Sequence, residues 1–217
     1  QSAGATRMWR YSTPAWNSRS ESGLPRPSVA SRSSITLVAA SVAAGEWWRV
    51  ITGAFLHDGP FHLAMNMLFI WVFGSALEAR LGKVGLVALY MAGLLGGALG
   101  VVWLSNPLGV PVGASGAGFA LMGALVVLQI TQGVNLWSSG LGGLVLLNVV
   151  VTLAFRGSIS VGGQLGGFVA GVVAGVVLFA APRSQLPRSA RVAIVGAGAV
   201  FLFGLTIASA SARMGAI

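Results

Sequence analysis

Long apolar runs separated by short polar breaks fill most of this chain. From Phe61 onward the runs lie at about 61–77, 84–104, 114–130, 139–155, 159–181 and 192–210. A helix crosses bilayer hydrocarbon with roughly 20 apolar residues, and about 17 is the lower limit. The first, third and fourth runs sit near that limit. The pattern predicts an all-α, polytopic membrane helix bundle with about six transmembrane helices. Residues 1–34 are rich in Ser, Arg and Pro, show no apolar periodicity and read as disordered. The apolar stretch Ile35–Ala44 is too short to span. Three segments are expected: a tail with this short stretch over 1–44, a membrane domain over 45–181, and a cytoplasmic loop plus a further C-terminal transmembrane helix over 182–217.

Composition supports lipid as the outer solvent. Only 8% of the 217 residues are charged and 55% are hydrophobic, against about a quarter charged in soluble domains. The 32 glycines fall mostly within apolar runs, as where helices pack closely in a membrane. With no cysteine, disulfides, thiolate metal sites and a cysteine nucleophile are excluded. A net charge of +9 would suit nucleic acid, but five of the thirteen basic residues (Arg7, Arg10, Arg19, Arg26, Arg32) lie in the tail and others sit at span ends. An anionic lipid surface explains them better, and no nucleic-acid partner is expected.

The same charges orient the chain. Arg80 and Lys83 lie between the first and second spans, and Arg183, Arg188 and Arg191 between the fifth and sixth. Both loops are expected on the cytoplasmic side. The uncharged loop 105–113 and the nearly lone Arg156 suit the other side. Parity then puts residues 1–60 outside together with the five tail arginines, against the rule. A lost or replaced spanning helix before Gly45, a targeting leader, or a failure of the rule would each resolve the conflict; the N-terminal Gln1 favours a fragment or processed product.

Polar side chains inside a bilayer are costly and need a reason. His62 and Asn66, four apart in FHLAMNMLF, share one helix face; alone they read as interhelical hydrogen-bonding groups. His57 precedes them across Gly59-Pro60, out of helical register, so no metal site is expected. Ser115 lies in PVGASGAGFALMG, where a loop turns into the third span. Alone it reads as a helix cap, but Gly113 and Gly116 let a ligand approach the backbone, whose free N–H groups suit an oxyanion. Gln164 lies in the fifth span beside a stripe of Gly163, Gly167, Gly171 and Gly175. The third span carries its own stripe of Gly116, Ala120 and Ala124. Packing the two stripes together predicts that Ser115 and Gln164 face each other.

GEWWRVITGAFLHDGPFHLAMNM, then ALEARLG, then GASG, then the glycine-striped span resemble, in that order, the rhomboid family of intramembrane serine proteases over roughly residues 45–181. The resemblance implies a rhomboid-like bundle in which a Ser–His dyad is buried in the membrane and reached from the extracytoplasmic side. Ser115 matches the nucleophile. His62 and Asn66 match residues near the oxyanion hole, with the Ser115 backbone N–H and Gly113 beside them. Trp48 and Arg49 match a motif of the first extracytoplasmic loop, Glu78 and Arg80 a structural motif at the cytoplasmic end of the first span, and Gly163 and Gly167 the glycines packed beside the dyad. A transmembrane protein substrate or client and the lipid bilayer are the implied partners, no metal or other cofactor is implied, and a bacterial plasma membrane is the expected location.

Two positions depart from the family pattern. Gln164 stands where the catalytic histidine is expected, and the tail stands where the first spanning helix should be. A serine hydroxyl needs a base to become a nucleophile, and a glutamine amide has no titratable site for that task. Neither His57 nor His62 is expected to replace the base, since His62 belongs to the oxyanion side. Two functions follow: a serine endopeptidase that is inactive or severely impaired, or a pseudoprotease that binds or escorts membrane proteins without cutting them. A transporter or channel is disfavoured because the spans lack buried Asp, Glu, Lys or Arg along a path.

Overall fold

The computed structural model describes residues 39–105, 113–154, 159–180 and 186–215. The expected disorder of 1–34, most of the uncharged loop, Arg156 and Arg183 lie outside them. The described residues are helical, without strands. Two short helices, α1 (Ala39–Ala43) and α2 (Arg49–Thr52), lead through a 3-10 turn at Gly53–Phe55 into α3 (Gly59–Leu104). Then come α4 (Ser115–Thr131), α5 (Leu141–Ala154), α6 (Val161–Gly175) with a π-helical continuation over Val176–Ala180, and α7 (Arg188–Gly215).

The first two predicted spans are two helices, joined within the range Gly59–Leu104 across a non-helical residue. A straight helix of 46 residues would be about 70 Å long, twice a bilayer core. The chain instead breaks at Gly82, whose backbone is left-handed (φ 64°, ψ 174°), a conformation that a side chain disfavours. The second arm folds back on the first: a Cβ on Gly74 would sit 3.9 Å from Leu86 Cδ2. By length and composition α3, α6 with its continuation, and α7 could each cross a membrane, while α4 and α5 are shorter apolar helices.

The centre is a junction of α3, α4 and α6 built on missing side chains. A Cβ on Gly97 would lie 3.0 Å from Gly163 O and 3.1 Å from Gly116 Cα. One on Gly100 would lie 3.0 Å from Gly166 Cα, and one on Gly167 would lie 2.7 Å from Gly116 Cα. At Gly171 the neighbour is Ala120 backbone (C at 2.6 Å), and at Gly175 it is Ala124 Cα at 3.0 Å. The two predicted stripes therefore do pack together, backbone against backbone. A third glycine stripe on the second arm of α3 completes the junction.

α7 lies on the second arm of α3, where Trp103 Nε1 donates to Ser209 Oγ at 3.2 Å and Arg213 donates to the Val102 carbonyl. α1 also packs on α7, with Ala40 against Met214. α5 is the least embedded long element, and among its residues only Leu141 and Thr152 are buried. The direction of each helix puts the His57 and Ser115 ends together at one end of the bundle. Arg80, Arg188 and Arg191 meet at the other, as the charge pattern of the two loops requires.

Candidate active site

Ser115 is the first residue of α4, and the cap position belongs to Ala114, which makes no side-chain cap. The plainer reading of Ser115 as a helix cap therefore does not hold. Its loop approaches through Gly113, whose φ of 108° is open to glycine and strained for other residues. Ser115 lines a small cavity with Gly97, Gly113, Ser160 and Gly163, of about 50 Å³. Such a volume holds a few waters and is well below the roughly 300 Å³ of small ligand pockets.

His62 and Asn66 crowd the same loop. A Cβ on Gly113 would lie 3.0 Å from His62 Nε2 and 3.6 Å from Asn66 Nδ2. Pro60 in the first turn of α3 suits a helix start, since its missing N–H is not needed there. The backbone N–H of Asp58 donates to His62 Nδ1 at 3.2 Å. An Nδ1 that accepts a bond leaves the proton of the neutral ring on Nε2, the nitrogen nearest Gly113. Asn66 is buried and its Nδ2 donates to the His62 carbonyl at 2.9 Å, a bond within the helix instead of the bond to another helix expected of it. The His57 ring packs edge-on against His62 with centroids 5.3 Å apart.

Gln164 is buried on α6, and its Oε1 lies against the hydroxyl of Thr152 on α5, whose single proton is shared with the Asn148 carbonyl at 2.6 Å. Among the described residues no hydrogen bond joins it to Ser115. The stripes pack as the spacing predicts and Gly163 shares the Ser115 cavity, yet the carboxamide finds its partner on α5. Helix geometry locates the turn on which a residue sits, while its rotamer is decided by the nearest polar partner. Replacing Thr152 with valine is expected to leave the buried Gln164 carbonyl unmatched and cost about 1–3 kcal/mol, read as a lower unfolding temperature in detergent. An unchanged midpoint would show that the bond carries no stability.

The remaining sequence-selected residues separate into three places. Arg49 is buried and its Nε reaches Glu46 Oε2 at 2.5 Å, while the neighbouring Trp48 is exposed. Gly163 and Gly167 lie in the central junction. Glu78 and Arg80 form no ion pair with each other, because residues two apart on a helix point to different faces; Arg80 instead faces Arg188 and Arg191 across a cavity. Thr152, Ser160 and the glycines of the second arm escaped a reading based on apolar runs. Ser160 caps α6 by accepting from the Gly163 N–H at 3.1 Å, a signal that the SxxG spacing before an apolar run could have given.

Residues 44–181 match the Rhomboid domain family. The chain is 30% identical over 174 residues to the rhomboid protease GluP of Bacillus subtilis (strain 168), a match covering 76% of this chain and 32% of the relative. It is 41% identical over 98 residues to the putative rhomboid protease YdcA of the same organism, covering 45% of this chain and 49% of the relative. A third relative, the inactive RHOMBOID-like protein 8 of Arabidopsis thaliana, is 30% identical over 112 residues, covering 51% of this chain and 31% of the relative. The chain thus spans about a third of GluP and about half of YdcA, and mitochondrial proteins of Arabidopsis and yeast are among its other relatives. With the domain match covering the glycine junction, the His62–Asn66 helix and the Ser115 loop together, this chain belongs to the rhomboid family of integral membrane proteins.

Proposed function

We propose that the chain keeps the substrate-holding scaffold of a rhomboid intramembrane serine protease but, with Gln164 in the place of the base, turns over little or no substrate. The observation that carries the reading is the convergence of His62 Nε2 and Asn66 Nδ2 on Gly113, two residues before Ser115. In acyl transfer Ser115 Oγ would attack the scissile carbonyl of a transmembrane protein segment. The oxyanion would be met by His62 Nε2–H, the free N–H of Asn66 and the Ser115 backbone N–H at the start of α4. His62 is matched to donation, since its Nδ1 is already engaged by Asp58 N–H. That leaves the Ser115 proton without an acceptor of suitable basicity, because a carboxamide does not take up a proton near neutral pH.

A pseudoprotease that binds membrane proteins without cutting them is the second reading. The Gln164–Thr152 contact favours it, because it gives the buried Gln164 carbonyl a partner other than the serine. The expected bacterial plasma membrane is one of several locations represented among the relatives, which include Bacillus subtilis proteins and mitochondrial proteins of Arabidopsis and yeast.

A serine-directed fluorophosphonate probe separates the two. Incorporation at Ser115, abolished in Ser115→Ala, would support residual protease chemistry. No labelling, with a transmembrane peptide still crosslinked to the folded protein, is the outcome expected of a binder. Failure of both labelling and crosslinking would overturn the scaffold itself.

A further inference from the structure

At the end of the bundle opposite Ser115, a second cavity of about 320 Å³ is lined by Arg80, Arg188 and Arg191 together with Leu81, Leu128 and Leu178. Leu128 is thirteen residues beyond Ser115 on α4, or about 20 Å along the axis, so this cavity is remote from the candidate active site. Three arginines line it. Arg191 is only 8% exposed, and its Nε and one terminal nitrogen donate to the Leu186 carbonyl (3.0 and 2.9 Å), the other to the Leu178 carbonyl (3.1 Å). These bonds tie the start of α7 to the end of α6, yet they neutralise none of its charge. Arg80 and Arg188 are exposed, and Arg188 reaches over the break in α3, with one terminal nitrogen 2.9 Å from where a Gly82 Cβ would be. Among the described residues the ion pair present is Arg49–Glu46, at the other end of the bundle. Among the described residues, these three arginines thus line one cavity with no carboxylate in ion-pair contact.

Like charges do not collect around a cavity without cost, and the carbonyls at the helix ends offset only part of it. The lining has a basic half and an apolar half, matching a molecule with an anionic phosphate next to acyl chain. Guanidinium forks suit phosphate oxygens, and basic pockets between membrane helices on the side of the basic loops are suited to anionic headgroups. We propose that this cavity is a binding site for one anionic phospholipid, with the phosphate held by Arg80 and Arg188 above Arg191 and the glycerol and upper acyl chain against Leu81, Leu128 and Leu178. The lipid would bridge the break of α3 and the start of α7, and its binding is independent of whether Ser115 cleaves anything.

Native mass spectrometry of the full chain in detergent tests this directly. The protein is titrated with phosphatidylglycerol, with phosphatidylcholine of the same acyl chains, and with inorganic phosphate. One equivalent of phosphatidylglycerol is expected to bind at least about tenfold more tightly than phosphatidylcholine. Arg188→Gln should reduce that preference at least about fivefold, and Arg80→Gln together with Arg188→Gln should abolish it. Lys83→Gln, which removes an equal charge from an exposed neighbour outside the cavity lining, should change it less than about twofold. Arg191 is left intact because its carbonyl bonds also serve the fold, and the unfolding midpoint of each variant confirms that it is folded. Equal losses in Arg188→Gln and Lys83→Gln would show diffuse surface attraction and overturn the site. So would the absence of any headgroup preference. Saturable binding of inorganic phosphate that displaces phosphatidylglycerol, with no lipid preference left, would overturn the lipid assignment in favour of a free anion.

Discussion

Gln164→His is expected to raise cleavage of a transmembrane substrate by at least about 10³-fold over the Gln164 protein. In a soluble serine protease the loss of the base histidine costs about 10⁶ in turnover, and what remains comes from the oxyanion hole and positioning. Restoring an imidazole returns the missing proton acceptor without changing the scaffold. The gain is expected to be smaller than the full factor, because Thr152 now engages the side chain at this position and the Ser115 cavity is narrow. Gel-based cleavage of a reporter with one transmembrane segment, reconstituted in liposomes, reads the effect. Ser115→Ala in the same background must abolish it. If the histidine variant stays inert while the Gln164 protein cuts, the assignment of these two positions is wrong.

The second large effect concerns the glycine junction. Gly167→Ala places a methyl carbon 2.6 Å from the Gly116 carbonyl carbon and 2.7 Å from its Cα. Both are backbone atoms, so no rotamer change relieves the clash and the two helices must separate. A cost of about 3 kcal/mol or more is expected, at the upper end of overpacking changes. Gly171→Ala should behave alike, since Ala120 C would lie 2.6 Å away. Gly196→Ala and Gly198→Ala provide the contrast: nothing lies within 4 Å of either added carbon, and both positions are in α7. Replacing glycine inside a helix then stabilises by up to about 1 kcal/mol. Unfolding midpoints in one detergent compare the four. A Gly167→Ala protein as stable as the parent would refute the backbone contact between α4 and α6.

The junction also explains why so much of the architecture was legible beforehand. A run of apolar residues and a four-residue repeat of small ones are local properties of the chain, and bilayer thickness and helical pitch convert them into spans and contact faces. Gly116, Ala120 and Ala124 could therefore be matched with Gly167, Gly171 and Gly175 before any coordinates. The match with the third stripe, Gly93, Gly97 and Gly100, was equally written in MAGLLGGALG. Pairing two stripes does not reveal a third, because three-body packing is not evident from pairs.

By itself, then, the sequence determined the helical class, the apolar runs, the pairing of the two stripes and the gathering of basic residues at one end. Each of these follows from residue type and helical period alone. Only the tertiary structure decided that the first two runs fold back on each other across Gly82, that Gln164 engages Thr152 on α5, that Asp58 N–H sets the His62 ring, and that Arg80, Arg188 and Arg191 line one cavity. These depend on rotamers and on partners far apart in the chain, where a polar side chain settles on whichever complementary group the packing brings within about 3 Å, and no local pattern encodes that distance.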